Sequence, residues 1–188
     1  MAAEGNALTP GEYIRHHLVH LNNSGEKQQS IVDFSIINLD SVVFSVVLGA
    51  FVCFLLWRAA RKASSGTPGR FQAAVEMLVE MVDGQAKSVI HNAKSRKLVA
   101  PLALTVFVWI FMMNFMDMLP VDLLPRLWAE YYSATGHDPH HAYLRVVPTA
   151  DLSTTLGLSI SVLLLCLFYN IKIKGLGGWS HELVTAPF

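Results

Sequence analysis

Charged residues and cysteines are scarce in this sequence. Asp, Glu, Lys and Arg make up 15% of its 188 residues, whereas 53% of the residues are hydrophobic. Soluble domains carry about 25% charged residues, so this composition indicates a membrane protein. The two cysteines, Cys53 and Cys166, fall inside apolar runs and form no CxxC or CxxH spacing. We therefore expect small packing residues rather than a disulfide, metal or redox centre.

The sequence also lacks the motifs of soluble enzymes. It contains no GxSxG, P-loop, GxGxxG or HExxH pattern, which excludes the usual signatures of hydrolases, nucleotide-binding proteins and zinc peptidases. Its N-terminal 23 residues lack the charged start and apolar stretch of a signal peptide. The net charge is zero, and no exposed basic patch favours nucleic acid. We expect no catalytic site, no cofactor, no bound metal and no nucleic-acid partner.

Three long apolar runs are the strongest feature that is present: Ser41–Trp57, Leu98–Leu119 and Leu152–Ile171. A helix rises about 1.5 Å per residue, so about 20 residues cross the roughly 30 Å hydrocarbon core of a bilayer. The second and third runs have that length, and the first reaches it by including Ile36–Leu39. The sequence therefore predicts an all-α membrane protein with three transmembrane helices, at 36–58, 98–119 and 149–171.

Basic residues gather between the first and second runs. Eight of the fourteen Lys and Arg residues lie between Arg58 and Lys97, whereas the connection 120–148 holds only two. Because cytoplasmic loops are enriched in Lys and Arg, we predict that the basic segment is cytoplasmic. The N-terminus and 120–148 then face the periplasm, and Lys172 and Lys174 return to the cytoplasm with the rest of 172–188.

The basic segment, 59–97, is predicted to contain a helix of another kind. Thr67 can cap a new helix, and Pro68 suits its first turn. Apolar residues then recur at helical spacing, with charged residues on another face. We expect an amphipathic helix at about 67–91, lying either on the membrane surface or against a partner protein. The periplasmic segment 1–35 is expected to hold one short helix, near residues 9–21.

Ionisable residues at membrane depth are the candidate functional residues, because burying a charge in a bilayer is costly. Asp117 lies near the outer end of the second apolar run, which continues through Leu119, and Asn114 lies one helical turn earlier. Three further carboxylates lie at the same predicted outer side: Asp40, Asp122 and Asp151. Together these groups could form a wet vestibule that attracts cations and passes protons inward.

Structural roles stay open for several of these residues. Asp40 and Asp151 stand where an N-cap would be, and Asp122 is expected in a solvated loop. Arg145 is either a partner of one of the acids or an interfacial arginine. The stretch His137–His141 has the residue types of a metal-binding motif, but the sequence lacks a second cluster of ligands for it. From the residues alone, ion conduction, a permease or transporter subunit, and a sensor with a histidine-rich outer loop all fit.

Six stretches resemble one known family, subunit a of the proton-translocating F-type ATP synthase in its proteobacterial form. Lys97–Asp122 carries the closest resemblance. The others follow in the family's order: Thr9–Leu18, Asn38–Ser41, Ser64–Gln72, Leu144–Asp151 and Tyr169–Gly178. Together they extend over nearly the whole chain.

The resemblance implies a stator subunit of the cell inner membrane, lying beside the ring of c subunits and contacting b subunits. In that family a proton enters through an aqueous half-channel, rides a ring carboxylate and leaves through a second half-channel. The resemblance assigns residues to the outer half-channel and its mouth: Asn114, Asp117, Asp122 and Asp151 in the channel, and Asp40 and Arg145 near the mouth. It also favours H⁺ over Na⁺ as the coupling ion.

The family's pattern extends beyond the position of Phe188. There the resemblance implies two long tilted helices, one of which supplies an arginine that faces the ring and blocks proton leakage. No basic residue up to Phe188 matches that arginine. We therefore expect a truncated subunit whose 188 residues do not translocate protons on their own.

Overall fold

The computed structural model describes residues 9–24, 35–90, 92–138 and 141–185, and only the backbone of Arg15 and His16. The chain divides into two compact units, one ending at Thr149 and the other beginning at Ala150. Within the described ranges the chain is helical, with no β-strand beyond a single bridge between Asn22 and Asn38. This confirms the predicted all-α fold.

Six α-helices follow one another in the part of the chain that the structure describes. They are α1 (Pro10–Leu18), α2 (Leu39–Lys62), α3 (Arg70–Val89), α4 (Ala93–Phe115), α5 (Leu123–Ala134) and α6 (Leu152–Thr185). A 3-10 turn, Met116–Met118, extends α4, and a second one covers Pro148–Ala150. Three of these helical stretches are long and apolar enough to cross a membrane: Leu39–Lys62, Ala93–Met118 and Leu152–Thr185. The prediction of three such helices is confirmed.

The helix ends differ from the sequence-based boundaries. The membrane helices predicted at 36–58 and 98–119 both gain residues on the basic side, where Lys and Arg continue the helix. The helix predicted at 149–171 begins at Leu152 and runs to Thr185, with a break at Gly175. Gly175 has φ 72° and ψ 164°, a conformation that only glycine adopts without strain.

The amphipathic helix is present but shorter than predicted. It begins at Arg70, with Gly69 rather than Thr67 at the N-cap, and it ends at Val89. Its surface carries an i,i+4 ion pair between Lys87 and Asp83, at 2.5 Å. The helix contacts both α2 and α4. The short N-terminal helix expected near residues 9–21 is α1, Pro10–Leu18.

One helix was missed by the sequence analysis. The segment 120–148 was predicted as a loop, yet its residues Leu123–Ala134 form α5. On this helix the ring of Trp128 contacts those of Tyr131 and Tyr132, at centroid distances of 5.7 and 6.1 Å. A twelve-residue amphipathic helix has too few apolar residues to stand out beside the membrane runs.

The first unit packs mainly by contact of α2, α3 and α4. Val52 of α2 and Met113 of α4 are fully buried there. Most large apolar side chains on α2, α4 and α6 are nevertheless exposed. Apolar faces of this extent need lipid or further protein to cover them.

Candidate functional site

Asp40 is the most enclosed acid described in the first unit. It lies in the first turn of α2, after the N-cap residue Asn38, and is only 2% exposed. The N-cap role that was left open for Asp40 does not apply, because Asn38 is the N-cap and the helix begins at Leu39. Burial of a carboxylate requires hydrogen-bond donors around it.

Three backbone N–H groups from three parts of the chain supply such donors. Asp40 Oδ2 accepts from the N–H of Leu21 and from that of Arg145, both at 3.0 Å. Asp40 Oδ1 accepts from the N–H of Ser41 at 2.7 Å. The carboxylate thus fastens the N-terminal segment and the segment before Pro148 to the start of α2.

His20 completes this cluster. Its Nδ1 lies 3.2 Å from Asp40 Oδ1, and its Nε2 lies 3.0 Å from Nη1 of Arg145. The sequence analysis expected Arg145 either to pair with an acid or to act as an interfacial arginine. In the structure, the backbone of Arg145 binds Asp40 while its guanidinium reaches His20.

A second acid, Asp122, also receives the N-terminal segment. The hydroxyl of Tyr13 donates to Asp122 Oδ1 at 2.5 Å, and His17 Nε2 lies 3.1 Å from the same oxygen. The hydrogen bond from Tyr13 is the largest cause that holds the pKa of Asp122 below its usual value. Desolvation opposes this effect, and the hydrogen bond from His17 lowers the pKa further. The same contact raises the pKa of Tyr13. Asp122 lies in the turn before α5 with a partly exposed side chain, and its contacts with Tyr13 and His17 join α1 to the start of α5.

Asn114 and Asp117 lie at the end of the second membrane helix. The hydroxyl of Thr149 donates to Asn114 Oδ1 at 2.8 Å, and Asn114 Nδ2 donates to the carbonyl of Ile110 at 3.0 Å. Asp117 lies in the following 3-10 turn and is exposed. Both side chains are exposed, and that of Asn114 is also held by two hydrogen bonds.

These groups share one end of the first unit. Arg145 and Thr149 are four residues apart, and they contact Asp40 at the start of α2 and Asn114 at the end of α4. The opposite ends of these two helices carry basic residues: Arg58, Arg61 and Lys62 on α2, and Lys94, Arg96 and Lys97 on α4. The first unit therefore has a polar end with buried and exposed acids, and a basic end.

Asp151 belongs to the second unit. Its Oδ1 accepts from the N–H of Ser153 at 3.0 Å, and its Oδ2 lies 3.5 Å from the hydroxyl of Thr154. These contacts are those of a residue that caps α6, the structural role left open above.

Three residues of the cluster were missed by the sequence analysis: Tyr13, His17 and His20. The signal was present, because Tyr13 and His17 are one helical turn apart and His20 follows on the same short segment. Their partners are far away in sequence, which hid the pairing.

The histidine box in the connecting segment gains no support as a metal site. Among the described residues, no group of three or more His, Cys, Asp or Glu side chains is arranged to hold a metal ion. His137 contacts Thr135, and His141 lies 3.6 Å from Asp138. His140 lies outside the described residues.

The fold and the cluster define a polytopic, all-α membrane protein with a polar site at one end of its helices. A family model described as ATP synthase A chain matches residues 42–188. The chain belongs to this family. Membership in this family favours none of the permease, transporter and sensor alternatives.

Three relatives match all 188 residues, and each is named ATP synthase subunit a. The protein of Paracidovorax citrulli (strain AAC00-1) is 74% identical, that of Acidovorax sp. (strain JS42) 70% and that of Verminephrobacter eiseniae (strain EF01-2) 61%. The chain spans 64% of the length of the first relative and 63% of the other two.

Proposed function

We propose that this chain forms the outer proton half-channel of subunit a in a proton-translocating F-type ATP synthase of the cell inner membrane. The observation that carries the proposal is the cluster of Asp40, Asn114 and Asp122 near one end of the membrane helices. Family membership supports a role in this complex. The proposed partners are the ring of c subunits and the b subunits.

The charge distribution supports an outward orientation of the polar end. The basic residues at the opposite ends of α2 and α4 are those that the positive-inside rule assigns to the cytoplasm. The acids, α1 and α5 then face the periplasm. A negative cluster on that side attracts protons and hydrated cations towards the membrane.

The polar groups suit different steps of proton entry. Asp117 is exposed and can exchange a proton with water, whereas Asn114 and Thr149 form a hydrogen-bonded pair beside it that can hold water in place. Asp122 is partly covered by Tyr13 and His17, and Asp40 is buried. We assign the proton path in this unit to Asn114, Asp117 and Asp122, and the shaping of the channel mouth to Asp40 and Arg145.

The test replaces Asp117 by Asn in the full-length subunit. Asp117→Asn keeps size and hydrogen bonding but removes the titratable carboxyl, so ATP-driven proton pumping should slow by about tenfold or more, with near-normal assembly. The matched control is Asp83→Asn, which removes a carboxylate on α3. If the Asp117→Asn enzyme pumped protons as fast as the Asp83→Asn control, the assignment would be refuted.

We further propose that these 188 residues alone do not couple proton flow to ATP synthesis. The resemblance assigns the arginine that faces the ring to a later segment of the family's sequence. Reconstituted with c-ring and b subunits, the 188-residue chain should show no coupled ATP synthesis. Measured coupled synthesis would require a substitute for that arginine among Arg145, Lys172 and Lys174.

A further inference from the structure

Helix α5 turns one of its faces towards the rest of the chain. At 3.6 residues per turn, side chains four residues apart lie on the same face of a helix. Leu124, Trp128 and Tyr132 have this spacing and are all partly buried, and the indole nitrogen of Trp128 is fully buried. These three residues define the inward face of α5. The opposite side of the helix is exposed.

The exposed side of α5 separates apolar from polar side chains. Its apolar edge consists of three side chains that are between 45% and 61% exposed: Leu123, Leu127 and Tyr131. Its polar edge consists of three further exposed residues: Arg126, Glu130 and Ser133. Successive residues turn about 100° around a helix, which puts the two edges side by side, opposite the inward face. Such a division is typical of a helix at the boundary between an apolar medium and water.

Helix α5 begins directly after a helical stretch that is long and apolar enough to cross a membrane. That stretch, Ala93–Met118, is separated from α5 by a short turn at 119–122. The N–H of Leu123 donates to the carbonyl of Pro120 at 3.0 Å, which closes the turn. Met118 and, within the turn, Val121 are both exposed. Exposed apolar side chains therefore continue along the chain from the membrane helix into α5.

We propose that α5 is an interfacial helix, which lies in the bilayer surface at the polar end of the first unit with its apolar edge among lipid chains and its polar edge in water. Tyr131 suits this boundary, where tyrosine is enriched in membrane proteins. A protein partner fits less well, because the core of a protein interface is depleted of charge, whereas the apolar edge adjoins Arg126 and Glu130. The location of α5 does not rest on the proposed function. Its consequence does, because Asp122, directly before α5, is then held where the bilayer meets water.

Spin labels on single cysteines test this location in the full-length subunit, assembled in its complex and placed in lipid nanodiscs after replacement of the native cysteines. Oxygen concentrates in lipid and a nickel chelate stays in water, so the ratio of their collision rates with a label identifies the surrounding medium. This ratio should be several times higher for Leu127→Cys than for Glu130→Cys. Ser65→Cys, between α2 and α3, is the reference for a label in water, and Ala129→Cys, beside the inward face, should be less accessible to both reagents.

Three results of this experiment would overturn the proposal. Equal ratios for Leu127→Cys and Glu130→Cys would show that both edges of α5 face the same medium. Access of the nickel chelate to Leu127→Cys at the level of Ser65→Cys would place the apolar edge in water. Shielding of Leu127→Cys from both reagents would show that another protein, rather than lipid, covers the apolar edge.

A second measurement leaves the apolar edge unaltered. The 188-residue chain, with ¹³C-labelled leucine methyl groups, is placed in nanodiscs, and the signals are assigned from Leu123→Ile and Leu127→Ile variants. A nitroxide on the lipid chains should broaden the methyl signals of Leu123 and Leu127 in the native chain, whereas a soluble gadolinium chelate should not. Broadening by the gadolinium chelate instead would contradict insertion of the apolar edge. Neither measurement involves proton pumping, so both stand apart from any failure of Asp117→Asn to slow it.

Discussion

The indole N–H of Trp109 donates a hydrogen bond of 2.9 Å to the backbone carbonyl of Ser45. Trp109 lies on α4 and Ser45 on α2, so the bond joins two helices that are apolar and long enough to span a membrane. Gly49, one turn after Ser45, makes the close approach possible. A Cβ added at Gly49 would lie 3.1 Å from Cε2 and 3.2 Å from Nε1 of the indole.

Replacing Trp109 tests how much this hydrogen bond contributes to stability. Trp109→Phe keeps an aromatic ring but removes the donor, so the chain in detergent should lose about 1 kcal/mol of stability against denaturant unfolding. Trp57→Phe is the matched control, because Trp57 is 53% exposed and its ring contacts Phe54 and Arg61 of its own helix. Equal losses in the two variants would show that the bond to Ser45 contributes nothing specific.

The glycine is tested by comparison with another helical glycine. Gly49→Ala should destabilise the chain by about 1–2 kcal/mol, because the new methyl group displaces the indole. Gly157→Ala on α6 has nothing within 4 Å of its new Cβ, and it should be neutral or slightly stabilising. The free energies of unfolding of both variants decide the matter: a Gly49→Ala chain as stable as Gly157→Ala contradicts close packing at Trp109.

The membrane helices could be predicted because apolar length is a local property of the sequence. Twenty or so apolar residues in a row identify such a helix without knowledge of its neighbours. Helix α5 lacked that signal, since its twelve residues are amphipathic and follow a proline-containing turn. The start of α3 was misplaced by three residues because both Thr67 and Gly69 are acceptable N-caps.

The acids of the candidate site, with Asn114 and Arg145, could be predicted from the sequence, but the residues of the N-terminal segment that contact them could not. A carboxylate next to an apolar run stands out because of its burial cost, which identified Asp40 and Asp117 as candidates. Tyr13 and His20 did not stand out, since their significance comes from contacts with residues 109 and 20 positions away. Such long-range pairs depend on how the helices pack, which no local pattern records.

The contact between Tyr13 and Asp122 predicts a pH range in which the docking of α1 is most stable. The lowered pKa of Asp122 stabilises the docked α1 above the ordinary aspartate pKa of about 3.9, and this contribution is lost as pH falls through the lowered value. The raised pKa of Tyr13 stabilises the docked α1 below about pH 10, and this stabilisation is lost as pH rises through the raised pKa. Protection of the α1 amides from hydrogen exchange should therefore be greatest between these limits.

Removal of the Tyr13 hydroxyl should lower the protection of the α1 amides from hydrogen exchange. Tyr13→Phe should raise the intrinsic-rate-corrected exchange of the α1 amides about threefold to tenfold at about pH 7, the effect of one charge-assisted hydrogen bond. Tyr131→Phe, at a residue 61% exposed on α5, serves as the control. Protection of α1 that is unchanged by Tyr13→Phe would show that Asp122 does not hold the N-terminal helix.

The orientation of the polar end is the claim on which the proposed half-channel rests, and impermeant thiol labelling tests it most directly. Cys53 and Cys166 are first replaced by Ser, and single cysteines are then introduced as Thr135→Cys beyond α5 and Ser65→Cys between α2 and α3. In intact cells whose outer membrane has been made permeable, Thr135→Cys should be labelled and Ser65→Cys should be labelled only after the inner membrane is opened. Labelling of Ser65→Cys but not of Thr135→Cys in intact cells would place the acids in the cytoplasm and contradict an outer half-channel.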